Sequence, residues 1–89
     1  MPDAEETLLE FPCDFPIKVM GRAEQELEVV VQELVARTLD ADRLLESRSA
    51  SSNAGRFVSV TVTVRVEDKL ELDAMYAALT AHTKVMMVL

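Results

Sequence analysis

Apolar and polar residues alternate with different periods along this 89-residue chain, and each period predicts an element. Phe15, Ile17 and Val19 interleave with Pro16, Lys18 and Met20, the period of two that marks a strand with one buried face, and Gly21 follows as its stop. From Ala23 to about Leu39, Leu27, Val30, Val31, Leu34, Val35 and Thr38 recur every three or four residues and predict one long amphipathic helix. Glu24, Glu26 and Glu28 fall near its start, where the helix dipole favours carboxylates. Asp40 and Asp42 break the pattern, and Arg43 to Arg48 predicts a short strand around Leu44 and Leu45. Ser47 to Gly55 reads as a mobile hairpin connection, because Ser49, Ser51, Ser52 and Asn53 compete for backbone hydrogen bonds and Gly55 tolerates positive φ.

The clearest segment is Phe57 to Val66. Val58, Val60, Val62, Val64 and Val66 line one face, while Phe57, Ser59, Thr61, Thr63 and Arg65 line the other, which places this β-branched run at the centre of a sheet. Asp68 and Glu71 have capping-box spacing ahead of a second helical stripe, Leu72, Met75, Tyr76 and Leu79. His82 and Lys84 lie at its end, Thr83 is loop, and Val85 to Leu89 forms a last strand. The order strand, helix, strand, strand, helix, strand, with right-handed crossovers, predicts an α+β ferredoxin-like βαββαβ fold. Its four-stranded antiparallel sheet carries both helices on one face, the Val58 to Val66 face. Residues 1–10 read as a flexible acidic tail docking through Leu8, Leu9 and Phe11, and residues 11–89 as one domain.

Composition narrows the possibilities. The 49% hydrophobic content excludes a disordered chain, and the length excludes most self-contained enzyme folds. A net charge of −7 makes nucleic acid an unfavourable partner. One cysteine, Cys13, cannot form an internal disulfide and points to the cytoplasm. No signal-peptide or membrane-spanning pattern is present, so no membrane role is expected.

Candidate chemistry is sparse. His82 and Cys13 are the two residues that could form a nucleophile–base dyad, but His82 is more simply a helix C-terminal cation when protonated and Cys13 a packed or idle thiol. No metal-ligand spacing occurs, no cofactor is implied, and Gly21 and Gly55 stand apart from any phosphate-binding loop. Gly55-Arg56-Phe57-Val58-Ser59-Val60 has a faint RNA-recognition flavour, but Phe57 lacks an aromatic companion on the first strand. Residues 1–46 carry 4 cations against 12 acids and residues 47–89 carry 5 against 4, so Lys18, Arg56 and Arg65 could form a small anion site on the open sheet face.

That face is expected to show Met20, Phe57, Ser59, Thr61 and Thr63, with either Met86 and Val88 or their alternates. It reads either as an interface or as an ordinary solvated sheet. A homodimer is expected, meeting face to face through Phe57, Thr61 and Met20 or edge to edge through an exposed strand.

Leu8-Leu9-Glu10-Phe11-Pro12, Phe15 and Lys18-Val19-Met20-Gly21 resemble the YbeD-like family of small bacterial proteins of unknown function. The likeness continues through the serine-rich hairpin before Gly55, the strand opening Phe57-Val58-Ser59-Val60, Leu72-x-x-Met75-Tyr76-x-x-Leu79 and the terminal Met87-Val88-Leu89. The resemblance implies a fold similar to ACT regulatory domains, which bind amino acids or other small effectors at paired subunits near the loop after strand one. It also implies a link to lipoate metabolism, since the family's genes are often found near those of lipoate synthesis. Lys18, Gly21 and Arg22 are then the candidate ligand residues, although Met20-Gly21-Arg22 stands where ACT domains carry an acidic residue before Pro-Gly, and only Gly21 is in a comparable position. Gly21 supplies either a positive φ or close approach to a ligand. The resulting expectation is a non-enzymatic regulatory module for a small effector, the alternative being a protein adaptor that docks through its open sheet face or acidic helix.

Overall fold

In the computed structural model, which describes residues 10–52 and 54–89, β1 (Cys13–Arg22), α1 (Leu27–Thr38), β2 (Leu44–Ser52), β3 (Phe57–Val66), α2 (Lys69–Ala81) and β4 (Met87–Val88) follow one another. The sheet order is β2-β3-β1-β4 with every neighbouring pair antiparallel, the predicted ferredoxin-like arrangement. Residues 1–9, including Leu8 and Leu9, and Asn53 lie outside the described residues. Phe11 packs against the core as expected.

The alternation in β1 and β3 puts Ile17, Val19, Val60, Val62, Val64 and Val66 on the helix side, each fully buried. Leu27, Val31 and Val35 of α1 and Leu72, Met75 and Leu79 of α2 close over them. Each such side chain contributes on the order of 1.5–3 kcal/mol of hydrophobic stabilisation. The expectation that both helices cover this face is met. Phe15 also points to this side and meets the Tyr76 ring edge-on, centroids 6.4 Å apart.

Three local expectations are corrected. The helix predicted from Ala23 is divided: Ala23–Gln25 is a 3₁₀ turn, Glu26 is left-handed at φ 52, and α1 starts at Leu27. The cause is the Ala23 N–H, which donates to the Arg56 carbonyl at 3.0 Å and holds this segment to the sheet, while the Glu26 carbonyl accepts from Val29 and Val30 to begin the helix. Ala23–Glu26 supplies no apolar side chain larger than the Ala23 methyl for a helical stripe.

The second correction concerns the serines. β2 runs through Ser52 instead of stopping near Arg48, because β3 supplies a continuous ladder and the Ser47 hydroxyl donates to the Glu28 carboxylate at 2.9 Å rather than competing for the backbone. The connection shrinks to a tight turn with Ala54 at φ 59 and Gly55 at φ 83, closed by the Gly55 N–H to the Ser52 carbonyl. Third, Gly21 does not end β1, which continues to Arg22, and β4 proper is limited to Met87–Val88, although Leu89 exchanges both backbone hydrogen bonds with Lys18.

Candidate functional site

At the end of β1, Gly21 lies under the chain that leaves α2. A Cβ added at Gly21 would sit 2.8 Å from the Lys84 carbonyl oxygen and 3.1 Å from Leu27, so the missing side chain is what lets the 82–86 segment cross here. Gly21 is not in the positive-φ region, and what approaches it closely is the chain's own backbone. That segment is fixed from several sides: His82 Nδ1 accepts from the Lys84 N–H at 3.1 Å, the His82 carbonyl accepts from Val85, and the Met20 carbonyl accepts from Met86 at 2.8 Å. The His82 ring, at the C-terminal end of α2, is thereby turned back onto the backbone of the crossing segment.

This crossing builds a depression of about 240 Å3 lined by Arg22, Gln25, Thr83, Lys84 and Met86. Arg22 and Lys84 have no carboxylate partner among the described residues. Gln25 is placed by the 3₁₀ turn, and Thr83 and Lys84 by the fixed segment. Two cations, an amide and a hydroxyl can together bind an anion with hydrogen bonds from more than one side.

A second depression, of about 310 Å3, lies on the open sheet face and is lined by Lys18, Arg48, Ser49, Ala50, Ser59 and Thr61. Register explains it. Arg48 and Lys18 both pair with Thr61 from opposite sides, so one row reads Arg48–Thr61–Lys18, and the next reads Ala50–Ser59–Met20–Met87. The predicted face residues Met20, Phe57, Ser59, Thr61 and Thr63 do share this face. On β4, the alternates are the ones exposed there: Met87 pairs with Met20, while Val88 packs against the core.

The predicted ligand residues do not form one site. Lys18 and Arg22 are four residues apart on one strand, about 13 Å at roughly 3.3 Å per residue, and line different depressions, with Gly21 beneath the Lys84 backbone. Of the suggested cations, Arg65 is paired with Asp14 at 3.0 Å. Cys13 pairs with Val66 at one end of β1, whereas His82 belongs to the segment crossing Gly21 near the other, so they make no dyad. Among the described residues no cluster of His, Cys, Asp or Glu is placed to hold a metal ion. No helix among them is long and apolar enough to cross a membrane.

Sequence reasoning missed Lys84, Gln25 and Arg48 as site residues, since their partners come from distant elements. It also missed Arg43. This guanidinium bonds both Glu71 oxygens, at 2.7 and 3.0 Å, and the Arg65 carbonyl at 2.9 Å. Asp68 caps α2 as predicted, accepting from the Glu71 N–H, but the Glu71 carboxylate reaches the Glu67 N–H instead of closing the box on Asp68. The hydrogen bonds from Arg43 and from the Glu67 backbone hold the Glu71 carboxyl down to about 2. Burial pushes the Tyr76 phenol up.

A family model described as "Protein of unknown function (DUF493)" matches residues 6–89. A UPF0250 protein of Paraburkholderia phymatum is 40% identical over 92 residues, covering 100% of both chains. Another from Nitrosomonas europaea is 42% identical over 88 residues, covering 96% of this chain and 98% of the relative. Among solved structures, the solution structure of protein HP0495 from H. pylori superposes with a TM-score of 0.70 at 18% identity, covering 91% of this chain and 85% of that one. An uncharacterized protein from Thermotoga maritima gives 0.61 at 11% identity, covering 83% and 90%. At these identities the two structures show a shared fold.

Proposed function

This chain belongs to the DUF493 family of proteins of unknown function, which includes the bacterial UPF0250 proteins, and from that premise we propose that it is a non-enzymatic regulatory module holding a small anionic effector between Arg22 and Lys84. The observation that carries this reading is the pair of cations, unneutralised by any described carboxylate, over one depression in a chain of net charge −7. Carboxylates outnumber cations 16 to 9 along the chain, yet none among the described residues reaches this pair. An anion there relieves the mutual repulsion of the two cations and gains charge-assisted hydrogen bonds. Because the Lys84 segment is already fixed against Gly21 and His82, little ordering is left for binding to oppose.

The likeness to ACT domains supports the same end of strand one as the effector end, with Gly21 in the comparable position, Arg22 beside it lining the depression and Lys18 outside it. The family's association with lipoate synthesis makes lipoate and related carboxylates the first ligands to try, beside amino acids, in a cytoplasmic setting consistent with the single thiol. Thermal unfolding in the presence of each ligand tests the proposal. A ligand that binds the folded state alone raises stability by about 2.7 kcal/mol at a hundred times its Kd. The expected result is a shift with a carboxylate or phosphate that disappears in Arg22→Glu and Lys84→Glu. No shift with any of them at millimolar concentration overturns the effector reading.

A further inference from the structure

The charges of this protein are sorted between its two layers. Residues 23–43 and 67–81, the helices and their joins, hold ten carboxylates against three cations. On the open sheet face, register places Lys18, Arg22, Arg48 and Arg65 against Asp14 and Glu46, four cations to two carboxylates. An acidic protein thus presents a sheet face with a positive surplus. The carboxylates on that face are engaged at its margins, Asp14 with Arg65 and Glu46 with Arg48. The Arg48–Glu46 contact is long, 3.4 Å, with both side chains more than half exposed, so it yields readily to a better partner. Lys18, exposed at the centre of β1, has no carboxylate partner among the described residues.

Lys18 and Arg48 stand two strands apart, about 10 Å at roughly 4.8 Å per strand, with the Thr61 hydroxyl between them. Their side chains are long enough to converge on one carboxylate above Thr61. The neighbouring row, Ala50–Ser59–Met20–Met87, offers an apolar strip beside that point, with Met87 52% exposed. Methionine suits such a strip because its unbranched chain adapts to varied apolar partners.

We propose that the open sheet face docks an acidic segment of a partner protein, one of whose carboxylates is held by Lys18 and Arg48 over Thr61 while an adjacent apolar side chain packs on Met20 and Met87. The complementarity of charge over the whole face, and not only at its depression, favours a protein segment over a free small anion. A nucleic-acid backbone is repelled by the net charge of −7 and finds one half-buried aromatic, Phe57, on the face. The carboxylate contact itself is distinct from the effector site, since Lys18 and Arg48 line one depression and Arg22 and Lys84 the other, and Lys84 lies outside the sheet face.

Fluorescence anisotropy of a labelled peptide of alternating glutamate and leucine tests it, with the glutamine–leucine peptide alongside. The glutamate peptide binds the wild-type chain, and its affinity falls as salt rises because the contact is exposed. The Lys18→Glu/Arg48→Glu double variant weakens it by about tenfold or more. Lys84→Glu, which removes an effector-site cation that is not on the sheet face, leaves it within about twofold, and this separates the docking from the effector site. A circular dichroism spectrum shows whether each variant is folded, and a Met87→Ser variant, at an exposed position, gives a milder loss without new charge. Equal binding of the glutamine peptide, an unchanged Lys18→Glu/Arg48→Glu variant, displacement by free glutamate at equal concentration, or sedimentation showing a second copy on this face each overturns the proposal.

Discussion

The two faces of the sheet are built from the same strands by alternate residues, yet they differ in what holds them. On the helix side Val60, Val62 and Val64 are fully buried, and on the open side Thr61 and Thr63 are half-buried among Lys18, Arg48 and their neighbours. One face is closed by shape and water exclusion, the other is left as hydroxyls and charge. Stability therefore resides in the even-numbered residues of β3, and the capacity to recognise a partner in the odd ones.

The sharpest break of this contrast is to place the same charge on adjacent residues. Val62→Asp puts a carboxylate into a fully buried position with no described cation facing it, and a buried unpaired charge costs several kcal/mol. We expect that variant to be largely unfolded by circular dichroism. Thr61→Asp, one residue away, places its carboxylate between Lys18 and Arg48 and is expected to leave the melting curve within about 0.5 kcal/mol of wild type. Similar losses from the two would show that the faces are not distinct.

Gly21→Ala tests the seam where the layers meet. Its new Cβ would lie 2.8 Å from backbone, the Lys84 carbonyl oxygen, which cannot swing aside as a side chain does. Overpacking of this kind costs about 1–3 kcal/mol. Chemical denaturation is expected to show that loss together with a weakened effector shift, because Thr83 and Lys84 ride on the displaced segment. An unchanged midpoint would mean that the crossing relaxes freely and that glycine is not required there.

How much of this was legible in the sequence follows the range of the interactions involved. The β3 alternation, the α2 stripe and the Asp68 cap are written within a few residues, and all were read correctly. The strand character of Ser47–Ser52 is not local: it comes from pairing with β3, which no serine-rich segment announces. The break at Glu26 depends on the Arg56 carbonyl, thirty-three residues beyond Ala23. Gly21 was recognised as special, but its reason is the Lys84 backbone, brought there by the topology. The open-face residues were legible because parity alone assigns them, whereas the partners of Lys18 and Arg22 in each depression required the sheet order.

The Arg43–Glu71 link is the third way to sharpen the contrast, since it joins the 3₁₀ turn Ala41–Arg43 ahead of β2 to α2, with side chains 22% and 29% exposed. Glu71 is depressed from 4.5 to about 2 by the Arg43 and Glu67 hydrogen bonds. A carboxyl lowered on folding stabilises the folded state above its unfolded value, and that stabilisation is lost as pH falls. The melting temperature is thus expected to drop as pH falls from about 4.5 toward about 2, and Glu71→Gln should flatten that stretch while lowering stability at neutral pH. A Glu71→Gln profile parallel to wild type would remove the link from the acid response.

The smallest effect belongs to the ion pair on the open face itself. Arg65 and Asp14 meet across β1 and β3 at 3.0 Å, but at 43% and 51% exposure they are screened by water and held by one contact. Arg43 instead makes three hydrogen bonds in a less exposed place. An exposed pair contributes about 0–1 kcal/mol, so Asp14→Asn is expected to shift the denaturation midpoint only slightly, and less in high salt. The informative readout lies elsewhere. Removing Asp14 raises the positive surplus of the open face, so binding of the glutamate–leucine peptide should tighten even as stability slips. A variant that lost stability on the scale of Gly21→Ala, with no gain in peptide affinity, would mean that this pair serves to hold the sheet together and that the division between a structural face and a recognising face fails at its margin.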